Sequence, residues 1–111
     1  MVLVATKADL DCRLDGGRDY ALFDTGMAAM NLQIQATKEG LYANPISGTR
    51  APQLRTAMGI PEDYVLVTVV IMGYPGDEGF LDEKQKAGEH GDRQRKPISD
   101  VVCRDTWTFP A

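Results

Sequence analysis

The alternation of apolar and polar positions along the chain predicts a small sheet. Residues 2–5 form a short β-branched and apolar run, which is typical of a strand. A second extended segment is predicted at residues 41–46, because Pro45 disfavours helix at the residue before it. Residues 64–72 are apolar at both alternating sets of positions, which indicates a strand buried on both faces. We therefore expect residues 64–72 to be central in the sheet.

The longest predicted element is a helix over residues 18–39, where apolar side chains recur every three or four positions. Its main stripe consists of Tyr20, Phe23, Met27, Met30 and Ile34, and Leu22, Ala29 and Leu32 widen the apolar sector. So wide a sector predicts burial on more than one side, inside a core or against another subunit. Gly26 and Ala28 are small enough to let a second helix approach closely. Gly40 follows the last periodic position and suits a left-handed C-terminal cap.

A polar turn region is predicted at residues 9–17, and a shorter helix after residue 48. Thr49 can serve as the N-cap of that helix, and Pro52 fits its first turn, where a missing N–H does no harm. Gly59 should end it. Its inward-facing residues are expected to be Leu54, Ala57 and Met58.

Beyond residue 76 the apolar pattern weakens. Residues 77–96 are polar without clear periodicity, so we expect a loop of about 20 residues there. Pro97 then opens a predicted short helix that runs through Val102. Trp107 and Phe109 lie near the end of the sequence and need a surface to cover them, which could belong to a partner chain.

Composition and charge narrow the range of partners. The chain has 111 residues, which we interpret as one domain over residues 1–111, and a net charge of −4. Nucleic-acid-binding proteins usually show a basic excess or stripe, so nucleic acid is not an expected partner. The longest apolar stretch, residues 64–74, is about half of the ~20 residues that span a bilayer. We expect no membrane association, no secretory leader and a cytoplasmic location.

Side chains that could carry chemistry are sparse. Cys12 and Cys103 lie far apart in the sequence, which fits neither a disulfide framework nor zinc-ligand spacing, so we predict two reduced thiols. His90 has no nucleophile pattern around it and is predicted to be solvated. The carboxylates at residues 62–63 and 77–78 are interpreted as turn residues. Nucleophile-elbow, dinucleotide-binding and P-loop motifs are absent from the sequence. We therefore predict no catalytic side chain and no metal site.

The first candidate binding segment consists of Pro45, Ile46, Ser47 and Gly48. A strand that runs into such a turn exposes backbone N–H groups, and a glycine lets a planar ligand approach the backbone closely. The spacing alone also fits an ordinary strand-to-helix loop.

The second candidate is the basic cluster of Arg93, Arg95 and Lys96. Two arginines two positions apart can converge on one phosphate group through fork-like, charge-assisted hydrogen bonds. The same cluster is also compatible with a solvated loop.

Three stretches in order along the chain resemble the nitroreductase family of flavin-dependent oxidoreductases. Residues 24–32, closed by residues 38–41, look like the family's long central helix. Residues 59–75 are similar to its most recognisable stretch, and residues 95–102 resemble its closing motif. The likeness is to the C-terminal half of the family. It implies an α+β fold that is nitroreductase-like but partial, with a long central helix, short helices and an antiparallel or mixed sheet, assembled as an intertwined homodimer.

The resemblance also implies a cofactor. In the family, FMN lies at the dimer interface and carries a hydride from NAD(P)H to nitroaromatics, quinones or free flavin, while protein supplies orientation and electrostatics. By this resemblance, Pro45, Ile46 and Gly48 flank the isoalloxazine ring. The backbone N–H of Ser47 would bond to the reactive nitrogen of the central ring. Two arginines, Arg93 and Arg95, would hold the FMN phosphate. The long helix would form the dimer core, and the tail with Trp107 would reach across the partner.

The family's N-terminal half has no counterpart in this sequence. We expect the chain to be incomplete relative to the family: a cut product, a fragment expressed alone or a natural minimal relative. An alternative function is therefore a non-catalytic dimerisation or interaction module that keeps the helix–helix interface and has lost the flavin site.

Overall fold

The computed structural model describes residues 1–8 and 18–109, which form two compact units, Met1–Gly76 and Asp77–Ala111. The predicted turn at residues 9–17, and with it Cys12, lies outside the described residues. The fold is α+β, as predicted: helices accompany a small antiparallel sheet.

The first unit contains a three-stranded antiparallel sheet in the order β1-β3-β2. Its strands are β1 (Val2–Thr6), β2 (Tyr42–Ile46) and β3 (Val65–Gly73). The prediction of three strands with residues 64–72 in the centre is confirmed. Burial of that strand on both faces is wrong, because Val65, Val67 and Ile71 are between 37% and 49% exposed. Val69 and Val70 in the middle of β3 are the most buried apolar side chains among the described residues. Val69 on β3 pairs with Leu3 on β1 and with Ile46 on β2, so the core lies where all three strands meet.

The long helix α1 (Ala21–Lys38) packs against β1 and β2. Its buried or half-buried positions are mostly small, namely Ala21, Thr25, Ala29, Leu32, Gln33 and Ala36. Of the two predicted alternatives for the bulky stripe, burial in this chain's own core is not observed, and burial against another subunit stays a prediction. Leu22, Phe23, Met27, Met30 and Ile34 are between 48% and 60% exposed. Short side chains let the helix approach the sheet closely, and this orientation turns the bulky residues outward.

The C-terminal cap of α1 is confirmed. Gly40 has φ of +78°, and the N–H of Leu41 donates to the carbonyl oxygen of Ala36 at 2.8 Å. The N–H of Gly40 donates to the carbonyl oxygen of Thr37 at 3.0 Å. These two bonds form a Schellman motif, which satisfies carbonyls that the last helical turn would leave unpaired.

The second helix, α2 (Ala51–Met58), begins later than predicted. Arg50 rather than Thr49 occupies the N-cap position, while Pro52 lies in the first turn as expected. Gly59 ends the helix with φ of +65°. Of the three residues expected to face inward, Leu54 is half-buried, whereas Ala57 and Met58 are exposed.

The prediction of a long loop at residues 77–96 is wrong, because the second unit has helices there. It contains a 3₁₀ helix at Glu78–Phe80 and the α-helix α3 (Glu83–His90). A capping box starts α3: Asp82 accepts a hydrogen bond from the N–H of Gln85, whose side chain in turn accepts from the N–H of Asp82. Such polar, local signals leave no trace in the apolar periodicity on which the loop prediction rested.

The rest of the second unit is short and exposed. The helix expected after Pro97 is a single 3₁₀ turn at Ile98–Asp100, shorter than predicted. The Trp107 and Phe109 rings meet edge to face with their centroids 5.1 Å apart. Trp107 nevertheless remains 77% exposed, so the need for a covering surface that the sequence indicates is not met within the described residues.

Candidate functional site

The first candidate segment ends β2, an edge strand of the described sheet. Pro45 pairs with Val70, and Ile46 pairs with Val69. Proline has no N–H to donate, so the ladder toward β3 must be formed by the N–H groups on either side, those of Asn44 and Ile46. Backbone groups alternate in direction along a strand. The position of Pro45, and that of Ser47 after it, therefore face the open edge, where proline is tolerated.

The backbone N–H of Ser47 is consequently an available donor. Within residues 1–8 and 18–109, no group accepts a hydrogen bond from it. Hydrogen bonds hold the backbone before and after this donor. The hydroxyl of Thr68 donates to the carbonyl oxygen of Ile46 at 3.0 Å, and the N–H of Thr49 donates to the carbonyl oxygen of Ser47 at 2.9 Å. A Cβ atom placed on Gly48 would meet nothing within 4 Å. The segment thus presents an oriented donor beside open space.

Thr68 belongs to this site, and the sequence did not predict it. It lies in the otherwise apolar central strand, and a lone hydroxyl in such a strand needs a hydrogen-bond partner when it is half-buried. The carbonyl of Ile46 supplies that partner. The polar interruption of the strand pattern was the signal that could have identified it.

The second candidate, Arg93 with Arg95 and Lys96, lies in the second unit. All three side chains are exposed. One guanidinium nitrogen of Arg95 donates to the carbonyl oxygen of Gln94 at 2.8 Å, which holds that side chain along the backbone. The two candidate segments therefore belong to different units, and the convergence of Arg93 and Arg95 on one phosphate stays a prediction.

The titratable groups with shifted pKa values lie elsewhere. The Lys7 ammonium, 2.6 Å from the Asp63 carboxylate, lowers the pKa of Asp63 by hydrogen bonding. Hydrogen bonding to Glu78 raises the pKa of His90. The hydroxyl and then the backbone N–H of Thr108, each 3.3 Å from Sγ, lower the pKa of the Cys103 thiol. These contacts are structural pairings on the surface, and none involves the Ser47 segment.

Other candidate chemistry is likewise limited in the described part of the chain. Cys103 is a free thiol. Asp77 accepts a hydrogen bond from the N–H of Gly79 at 2.8 Å, the role expected of a turn residue. Residues 1–8 and 18–109 hold no group of three or more metal-binding side chains. No helix in those ranges is both long and apolar enough to cross a membrane.

The exposed stripe of α1 is a candidate contact surface. Four of its bulky residues (Phe23, Met27, Met30 and Ile34) recur every three or four positions on the side of the helix away from its buried alanines, and each is about half exposed. A Cβ atom at Gly26, inside the same helix, would meet nothing within 4 Å. Contiguous exposed apolar patches of this kind commonly mark interaction surfaces.

Comparison with known proteins gives consistent matches. Residues 1–74 match the model of the "Nitroreductase family". A protein of Mycolicibacterium smegmatis named "Uncharacterized 15.4 kDa protein in ask 5'region" is 31% identical over 91 residues, which are 82% of this chain and 61% of that protein.

Solved structures agree in fold. A crystal structure of an oxidoreductase containing FMN superimposes with a TM-score of 0.73 and 25% identity, over 80% of this chain and 44% of that one. A nitroreductase family protein of Clostridium difficile 630 superimposes with a TM-score of 0.69 and 23% identity, over 95% of this chain and 58% of that one. The chain thus spans between 44% and 61% of the length of these relatives.

The family match extends over β1, α1, β2, α2 and β3. Ser47 and its neighbours fall inside the matched residues, and Arg93 and Arg95 fall beyond them. The match covers two thirds of the chain. The chain belongs to the nitroreductase family.

Proposed function

We propose that this chain contributes to an FMN-dependent NAD(P)H oxidoreductase that reduces nitroaromatics, quinones or flavins. The observation that carries the proposal is the outward-facing, unpaired N–H of Ser47 at the end of β2, within the family-matched residues. A similar solved protein is an oxidoreductase containing FMN, which supports the same cofactor here.

The residues of the first unit around Ser47 fit the ring system of such a cofactor. The N–H of Ser47 can donate to a ring nitrogen, and no atom lies within 4 Å of a Cβ placed on Gly48, so no side chain blocks a ring at that point. The Thr68–Ile46 hydrogen bond fixes the direction of the segment before a ligand arrives, which reduces the entropy lost on binding. When bound, FMN would supply the hydride chemistry, so no acid, base or nucleophile from the protein is required. Arg93 and Arg95 are proposed to hold the phosphate.

The proposed partner is a second copy of this chain. The bulky stripe of α1 is apolar, contiguous and about half exposed, and a matching stripe on a second copy would remove it from water. Burial of Phe23, Met27, Met30 and Ile34 would then supply the driving force for the dimer. NAD(P)H and a small redox acceptor complete the proposed set of partners, and a cytoplasmic location suits their supply.

A proline substitution tests the Ser47 donor directly. Ser47→Pro removes the backbone N–H, and the extended residue before it, Ile46, already has the conformation that proline favours. Ser47→Ala is the matched control, because it removes the hydroxyl and keeps the N–H. We expect the unaltered chain and Ser47→Ala to quench FMN fluorescence on titration, and Ser47→Pro to bind about tenfold more weakly, the loss of one hydrogen bond.

Circular dichroism establishes that each variant is folded before titration. Equal FMN affinity of the proline and alanine variants would contradict the role of the Ser47 N–H. If the unaltered chain takes up no FMN, cofactor binding by this chain alone is refuted.

The alternative is a non-catalytic dimerisation module, which the exposed stripe of α1 favours independently of any cofactor. Sedimentation combined with FMN titration separates the two functions. A stable dimer that takes up no flavin supports the module, and a flavin-bound species excludes it.

A further inference from the structure

Helix α3 has no buried core to support it. It has eight residues, and none of them is buried. Isolated helices this short are marginal in water, because nucleation costs more than a few hydrogen bonds return. Whether α3 forms therefore depends on its ends. Its N-terminal end has the Asp82–Gln85 capping box.

Its C-terminal end has a side-chain contact to another element. Nε2 of His90, the last residue of α3, lies 2.9 Å from Oε2 of Glu78 in the preceding 3₁₀ helix. The two residues are twelve positions apart, so this contact closes residues 78–90 into a loop. Both side chains are accessible to protons from solvent, with exposed fractions of 64% and 51%.

The carboxylates around His90 favour its protonated form. The hydrogen bond to Glu78 raises the pKa of His90, and the negative charges of Glu78 and, more weakly, Glu89 act in the same direction. Lys86, one turn earlier on α3, is paired with Glu83 at 3.5 Å. An imidazolium in the last turn also interacts favourably with the unpaired carbonyls of a helix C-terminus.

We propose that Glu78 and His90 form a proton-controlled clasp that orders the segment 78–90. With His90 protonated, the clasp is a charge-assisted hydrogen bond, and α3 is held at both ends. With His90 neutral, the ion pair is lost, and the contact weakens to an uncharged donor from one imidazole tautomer, so the N-terminal cap becomes the main support of α3. The device requires no flavin and is independent of the proposed function.

The direction of the pH dependence follows from linkage. A histidine whose pKa is raised in the folded state stabilises that state fully below its ordinary pKa, near 6.5. This contribution disappears as the pH rises through the raised value. Order in α3 should therefore decrease across that interval and stay level below it.

Nuclear magnetic resonance tests the clasp on the full chain. We expect the His90 ring to titrate above pH 6.5, and the helical Cα secondary shifts of residues 83–90 to fall in step with its deprotonation. Glu78→Gln should lower the pKa of His90 and remove most of the pH dependence of the Cα shifts. Glu89→Gln is the matched control, since it removes an adjacent negative charge without breaking the hydrogen bond, and should preserve most of both effects.

Two results would overturn the proposal. One is a set of Cα shifts in α3 that does not change with pH in the unaltered chain. The other is an equal effect of Glu78→Gln and Glu89→Gln on the titration of His90, which would show a diffuse charge effect instead of a specific contact.

Discussion

The two units of this protein are stabilised by different kinds of contact. In the first unit, three strands distant in sequence meet at Val69 and Val70, whose side chains are 2% and 0% exposed. In the described part of the second unit no residue is buried, and its helices depend on caps and on pairs of side chains close in sequence. The family match ends at residue 74, almost at the boundary between the units. The matched part of the chain is thus the part with a core.

The largest expected effect is on that core. Val70→Ala removes two buried methyl groups at the centre of β3 and should lower the free energy of unfolding by about 2 kcal/mol, the sum of lost transfer energy and an unfilled cavity. Val101→Ala is the matched control in the second unit, where the side chain is 57% exposed, and should cost less than about 0.5 kcal/mol. Urea unfolding followed by far-ultraviolet circular dichroism measures both. Equal costs would break the contrast between the units.

The contrast also explains how far the sequence predicted the fold. Apolar runs and periodicity located β3 and α1, because both elements depend on burial. The same pattern failed for α3, whose capping box at Asp82 and Gln85 is polar and local. It also left open which side of α1 meets the sheet. Periodicity defines an apolar sector but not the part of it that faces the sheet. The small residues Ala21 and Ala36 are buried, and Phe23 is exposed.

The candidate site was predictable only in part. The sequence located the segment around Ser47, since proline and glycine mark a turn after a strand. That its N–H faces an open edge follows from the strand order and from the register of Pro45 with Val70, which are properties of the whole sheet. The proposed role of Arg93 and Arg95 depends on a long-range arrangement that sequence spacing does not contain.

An intermediate and strictly local effect is expected at the start of α3. Asp82→Ala removes the capping box and should destabilise the helical form of residues 83–90 by about 1 kcal/mol. Cα secondary shifts in α3 should then decrease, while amide protection in β3 stays unchanged. Asp92→Ala, which removes a nearby exposed carboxylate outside the helix, serves as the control. Loss of protection in β3 with α3 intact would contradict the local character of the second unit.

The smallest effect is expected from an exposed ion pair in the first unit. The second unit depends mainly on surface contacts of this kind, whereas the first unit also has a buried core. The carboxylate of Asp63 lies 2.6 Å from the Lys7 ammonium, which lowers its pKa below the ordinary value of 3.8. A carboxylate with a lowered pKa stabilises the fold above that ordinary value and loses its contribution as the pH falls through the lowered one. Asp63→Asn should therefore reduce stability slightly at pH 7, and the difference from the unaltered chain should shrink as the pH falls below 3.8. Because both side chains are about half exposed, salt should also shrink the difference at pH 7.

Urea unfolding at pH 7 and pH 2, with Glu62→Gln as the neighbouring control, measures the effect of Asp63→Asn. A difference as large at pH 2 as at pH 7 would show that Asp63 acts through packing rather than through its charge.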